Sequence, residues 1–155
     1  MELRIGHGYD YHRLKEGCGL LIGGILIECD LEAIAHSDGD AVLHAVTDAI
    51  LAAIGADDLG SQFPDSDEHN ASRNSSEFLQ TALDQAKSEG WKICNVSITV
   101  QCDEPKLSPR RNDITKSLEF LIGSPVHIKG KTFEGSNPHN AIEVHVVTLV
   151  QRDEK

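Results

Sequence analysis

Ala35-His36-Ser37-Asp38-Gly39-Asp40-Ala41-Val42-Leu43-His44-Ala45-Val46-Thr47-Asp48-Ala49-Ile50-Leu51-Ala52-Ala53-Ile54-Gly55 is the stretch around which the rest of the chain is ordered. Ser37 and Asp40 match the serine-x-x-acid pattern that satisfies the free amides at a helix start. Gly55 supplies a stop, so the spacing predicts a helix over residues 38–54. Apolar residues occur on most sides of it, which predicts burial on more than one face. His44 and the Thr47-Asp48 pair break that pattern and need another explanation.

Toward the N-terminus, residues 2–9 read as a short first strand, and residues 20–22 and 25–29 as a hairpin turning on Gly23-Gly24. Toward the C-terminus, Phe78, Leu79, Ala82, Leu83 and Ala86 form the apolar stripe of a helix over residues 75–89, stopped by Gly90. Val96, Ile98 and Val100 alternate with polar residues as a strand. Pro109 opens a further helix, where its missing amide hydrogen costs little, with Ile114, Leu118, Leu121 and Ile122 as its buried side. Two strands close the order, at residues 126–131 and 142–150. The last is apolar on both faces from Val146 to Val150, which predicts a central strand or one covered by oligomerisation. At 155 residues the chain, 1–155, reads as a single domain with one core.

The chemistry-bearing residues cluster around the same helix. Asp10 and His12 lie two apart in extended backbone and so point the same way. Joined by His44, they form an oxygen-plus-two-nitrogen donor set that suits zinc and leaves a position open; the plainer alternative is a hydrogen-bonded histidine in an apolar helix. Asp38 and Asp40 serve either as caps or, in the case of Asp40, as a group one turn before His44 that orients it or meets a substrate hydroxyl. His36 and Ser37 lie where exposed amides meet an anion. Asp57-Asp58-Leu59-Gly60 and Phe63-Pro64-Asp65-Ser66-Asp67 read as a solvated turn or as a polyol-binding loop. In Glu104-Pro105-Lys106-Leu107-Ser108-Pro109 two prolines stiffen the chain beside a lysine able to meet phosphate. Thr132 and Glu134 offer a hydroxyl and a carboxylate able to hold a hard cation.

A formal net charge of -11 excludes the basic surface a nucleic-acid partner requires. An anionic small substrate stays compatible if metal ions and a few cations neutralise it. Cys18, Cys29, Cys94 and Cys102 form no CxxC pair and read as reduced thiols. No secretory leader is visible, and the apolar runs stop short of the roughly 18 residues a membrane span needs. The expectation is a soluble protein with no membrane partner, cytoplasmic in a bacterium or in a plastid-type organelle if a transit peptide has been removed.

From Arg4 to about Val150 the chain resembles the 2-C-methyl-D-erythritol 2,4-cyclodiphosphate synthase family. The likeness rests on GHGYDYH at 6–12, AHSDGDAVLHAVTDAIL at 35–51, DLGSQFPDSD at 58–67 and PKLSP at 105–109. It implies a compact two-layer α/β sandwich, with a mainly antiparallel or mixed sheet packed on helices, assembled as a homotrimer with active sites between adjacent subunits. It implies a phosphorus–oxygen lyase that cyclises 4-diphosphocytidyl-2-C-methyl-D-erythritol 2-phosphate with release of CMP.

By position, the resemblance makes Asp10, His12 and His44 ligands of Zn2+ or another divalent metal beside the substrate, and His36 with Ser37 holders of its phosphates. Asp58, Gly60 and Asp65 receive the methylerythritol portion, with Asp40 as a further substrate contact. Cys102, Lys106, Leu107 and Ser108 line the cytidine and phosphate end. Thr132 contacts phosphate, and Glu134 holds Mg2+ or Mn2+ with the substrate diphosphate. His36, Lys106 and Thr132 are the groups expected to assist catalysis.

Overall fold

The computed structural model describes residues 1–64, 66, 70, 73–136 and 140–153. Asp65, expected at the substrate, lies outside the described residues, as does most of the linker from 65 to 74. In chain order the elements are β1 (Glu2–Glu16), β2 (Leu20–Ile22), β3 (Ile25–Ile27), β4 (Leu31–Ala33), α1 (Ala41–Ile54), α2 (Leu59–Gln62), α3 (Ser75–Ser88), β5 (Lys92–Gln101), α4 (Arg111–Ile122), β6 (Val126–Lys131) and β7 (Ala141–Arg152). Pro109 sits in a 3-10 turn, Ser108–Arg110, which leads into α4.

Five strands form one sheet in the order β4-β1-β7-β5-β6, and β2 with β3 forms a separate hairpin. β5 and β6 run parallel, while the other pairs are antiparallel. β7 is the middle strand, as its apolar run predicts. Val144, Val146 and Val150 are fully buried under the helices together with Val96, Ile98 and Val100 of β5. Ala45, Val46, Ala49, Ile50 and Ala53 of α1 and Ile114 and Leu118 of α4 complete this core. The opposite face carries Leu3, Ile5, Tyr9 and Val147, all exposed in a single chain.

β1 is far longer than the residues 2–9 expected. It pairs with β7 from Glu2↔Arg152 to Arg13↔Ala141, and β4 takes over at Leu14 to Glu16. Its covered side is occupied by Gly6, Gly8, Asp10 and His12 instead of hydrophobes, so alternation in the sequence does not betray it. A Cβ on Gly6 would lie 1.9 Å from the Ala49 carbonyl oxygen, and one on Gly8 1.9 Å from that of Ala45. The glycines thus let α1 lie directly on the β1 backbone.

The start of α1 also differs from expectation. Asp40, not Ser37, is the cap, and its carboxylate accepts from the amides of Leu43 at 3.0 Å, Gly23 at 3.0 Å and Gly24 at 2.7 Å. It is wholly buried and clamps the hairpin turn to the helix. The Asp40 carboxylate therefore meets three backbone amides and not the His44 ring. Asp38 serves the start of α3, accepting from the Ser75 amide at 2.9 Å.

A candidate metal centre and a second cavity

Asp10 and His12 project from the helix-facing side of β1, and His44 from the first turns of α1 that lie on that side. Asp10 Oδ2 lies 3.1 Å from His12 Nδ1 and 3.3 Å from His44 Nδ1. Their donor atoms all fall within 4.8 Å of one another. Asp10 Oδ2 and His12 Nδ1 are inaccessible, and among the described residues neither has an aligned hydrogen-bond partner. A buried polar atom without a partner costs about 1–3 kcal/mol. A divalent cation would satisfy these donors together, so the residues present fit the expected zinc.

The electrostatics agree. Burial alone pushes the Asp10 carboxyl up, but the two imidazoles outweigh it and hold the pKa down at about 2. For His44 burial opposes the charged ring, yet Asp10 overcomes that and raises its pKa. The far nitrogen of His44, Nε2, meets Ser75 Oγ at 2.8 Å and Ser37 Oγ at 3.1 Å.

The triad opens into a cavity of about 250 Å³ whose walls include His36, Ser37, Gly60 and Phe63. His36 and Ser37 are thus brought beside the metal ligands as expected. α2, which the sequence presents as a turn, supplies the Gly60 wall. Two carboxylates build it: Asp58 caps it by accepting from Ser61 N at 2.7 Å, and Asp48 of α1 accepts from Leu59 N at 2.7 Å. In the sequence Asp48 stands out only as an anomaly in an apolar helix. Asp58 itself borders a neighbouring hollow with His7, Tyr9 and Asp48, separate from the triad cavity.

Cys102, Lys106, Leu107, Ser108, Thr132 and Glu134 meet in a second cavity, of about 310 Å³. Asp103 ties its two sides together, accepting from the Phe133 amide at 2.9 Å, while the Lys106 ammonium donates to the Asp103 carbonyl at 2.9 Å. Thr132 Oγ1 donates to Glu134 Oε1 at 2.8 Å. The buried Cys102 thiol points at the Pro105 carbonyl at 3.5 Å, and burial, helped by Asp103 and Glu104, pushes its pKa up to about 11.

Register relates the two cavities. Tyr11, Glu143, Gln101 and Lys131 stand in one row across β1, β7, β5 and β6. The triad and the Thr132 end therefore occupy the same end of the sheet, three strand spacings or about 14 Å apart. One chain does not merge them. The sequence could not give this separation, because it depends on strand order.

The YgbB family pattern matches residues 3–151. The chain is 44% identical over 136 residues to the 2-C-methyl-D-erythritol 2,4-cyclodiphosphate synthase of Gemmatimonas aurantiaca, covering 86% of this chain and 82% of that protein. It is 44% identical over 151 residues to the enzyme of the same name from Thermus thermophilus, covering 96% and 99%. A solved structure of 2C-methyl-D-erythritol-2,4-cyclodiphosphate synthase in a CDP-bound form superposes with a TM-score of 0.90 at 40% identity, covering 96% of this chain and 100% of that one.

Proposed function

The chain belongs to the YgbB family, and on that premise we propose that it is the phosphorus–oxygen lyase that converts 4-diphosphocytidyl-2-C-methyl-D-erythritol 2-phosphate into 2-C-methyl-D-erythritol 2,4-cyclodiphosphate and CMP. The observation that carries the reading is the convergence of Asp10, His12 and His44 on one point, with two of the donor atoms buried and unpartnered.

An oxygen of the substrate's 2-phosphate attacks its β-phosphorus. The bond from that phosphorus to the oxygen bridging the two phosphates breaks, and CMP leaves with the bridging oxygen. The nucleophile belongs to the substrate, so the protein's task is to fold it back on itself and to neutralise charge. Asp10, His12 and His44 would hold zinc and Glu134 magnesium or manganese, supplying Lewis-acid polarisation of the β-phosphate and neutralisation of the leaving group. His36 and Ser37 hold phosphate beside the triad, Gly60 walls the methylerythritol portion, and Asp58 fixes the α2 turn that presents Gly60. Leu107, Ser108 and Cys102 line the cytidine end, where Lys106 and Thr132 meet the phosphates. The Cys102 thiol, with its high pKa, is a neutral wall and not a nucleophile.

Two cavities about 14 Å apart suit a substrate gripped by two chains. In the proposed homotrimer the Cys102–Glu134 cavity of one subunit lies against the triad of its neighbour, and the exposed apolar sheet face lines the interior. The proposed compartment is a bacterial cytoplasm, or a plastid-type organelle if a transit peptide has been removed.

The test is 31P NMR of the purified protein with magnesium and the substrate. The expected products are the cyclic diphosphate and equimolar CMP, whereas a linear monophosphate would make the protein a phosphoesterase. Asp10→Asn and His44→Ala should each lower zinc content and turnover by at least about 100-fold, at the upper end of effects on metal sites, while the chain stays folded. Full zinc retention in both variants would remove the triad from the mechanism.

A further inference from the structure

Ser75 is the first residue of α3 and is fully buried. Its hydroxyl lies 2.8 Å from His44 Nε2 and donates a hydrogen bond to Asp38 Oδ1. Its amide donates separately to Asp38 Oδ2 at 2.9 Å. A serine hydroxyl has one proton, and an ionised carboxylate can only accept. The Ser75 proton therefore goes to Asp38, and only lone pairs are left for His44. Nε2 of His44 must then carry a hydrogen. In a neutral imidazole that leaves Nδ1 as the lone-pair nitrogen, and Nδ1 is the atom that lies 3.3 Å from Asp10 Oδ2, where the three donors converge.

We propose that Asp38 and Ser75 are positioning residues that lock His44 in the tautomer whose Nδ1 lone pair faces the metal. Ser37 Oγ, 3.1 Å from the same nitrogen, cannot set the tautomer, because among the described residues it has no carboxylate to take its proton. The sequence hides the arrangement, since Ser75 follows His44 by 31 residues and Asp38 by 37. The lock also ties the start of α3 to the metal ligand, so one carboxylate serves a helix end and an imidazole. Its relevance to metal binding rests on the zinc reading above.

Ser75→Ala separates the two duties, because it removes the hydroxyl but keeps the backbone hydrogen bond that anchors α3. Zinc affinity, measured by chelator competition, should fall about 10- to 100-fold in Ser75→Ala, the range for groups that orient metal ligands, with the thermal unfolding of the metal-free protein little changed. Asp38→Asn should also weaken zinc, and should add less than about threefold when Ser75→Ala is already present, since it acts through the missing hydroxyl. 1H–15N spectra of the imidazoles in the zinc-loaded protein should show His44 protonated at Nε2 and bare at Nδ1. Affinity of Ser75→Ala within twofold of the parent, full additivity of the two substitutions, or a proton on Nδ1 would overturn the lock. A parent protein that binds no zinc at all is a different failure, that of the metal reading; the spectrum of the metal-free parent at alkaline pH, where the ring is neutral, still decides the tautomer.

Discussion

Cys102 shows how far burial changes one side chain. Its pKa of about 11 lies above the ordinary 9.0, so the folded protein holds the neutral thiol. A raised pKa contributes stability that is fully present below the ordinary value and is lost as the pH rises through the folded one. The window of loss is therefore alkaline, between about 9 and about 11. At about pH 8.5, below that ordinary value, iodoacetamide should modify exposed Cys18 while buried Cys102 stays unmodified until the chain is unfolded. Equal labelling in peptide mass spectra would contradict this. The residues that hold chemistry were legible to different degrees. Asp10 and His12 declare themselves by their spacing, and His44 by standing out of an apolar helix. Ser75 gives no local signal, because its partners arrive only through the packing of α3 on α1. Asp40 and Asp38 read alike in sequence as helix-start acids, yet one clamps a hairpin and the other reaches α3.

At the scale of elements, the contact between β1 and α1 sets the spacing of all three metal ligands. Gly8→Ala would bring a Cβ to 1.9 Å from the Ala45 carbonyl oxygen, and backbone must shift to relieve it. Urea unfolding should show a loss of about 3 kcal/mol or more, the upper range for overpacking, and zinc content should drop with it because α1 and β1 move apart. Gly130→Ala makes the contrast. Its Cβ would come to 3.3 Å from the Leu107 Cδ1, the end of a flexible side chain, so its cost should stay below about 1 kcal/mol. If both variants unfold alike, close backbone approach is not the reason for the glycine at position 8. The long helices and β5, β6 and β7 were readable because apolar periodicity writes their buried sides. The second half of β1 was not, since metal ligands replace its apolar positions, and β4 and α2 are too short for a pattern. α2 exists through the Asp48 carboxylate as well as through its own Asp58 cap.

At the scale of the whole molecule, one sheet face is covered by helices and the other carries Ile5 at 72% exposure and Leu3 at 53%. In the proposed homotrimer that face is covered by copies of the same chain, and each pocket uses both sides of a subunit boundary. Two inactive variants, His12→Ala and Lys106→Ala, should therefore recover some turnover when mixed under conditions of subunit exchange, because some boundaries then carry both intact cavities. Demonstrated exchange without recovery, or a monomer by sedimentation at assay concentration, would rule out the shared site. The pairing of β1 with β7, which joins Glu2 to Arg152 and runs to Arg13 and Ala141, governs when the metal site can exist. All three candidate metal ligands have been synthesised by residue 44, yet the strand bearing two of them acquires its full-length neighbour only after β7 leaves the ribosome. A chain ended at residue 140 would carry all three ligands and should retain no zinc, so that metal capture awaits the synthesis of β7.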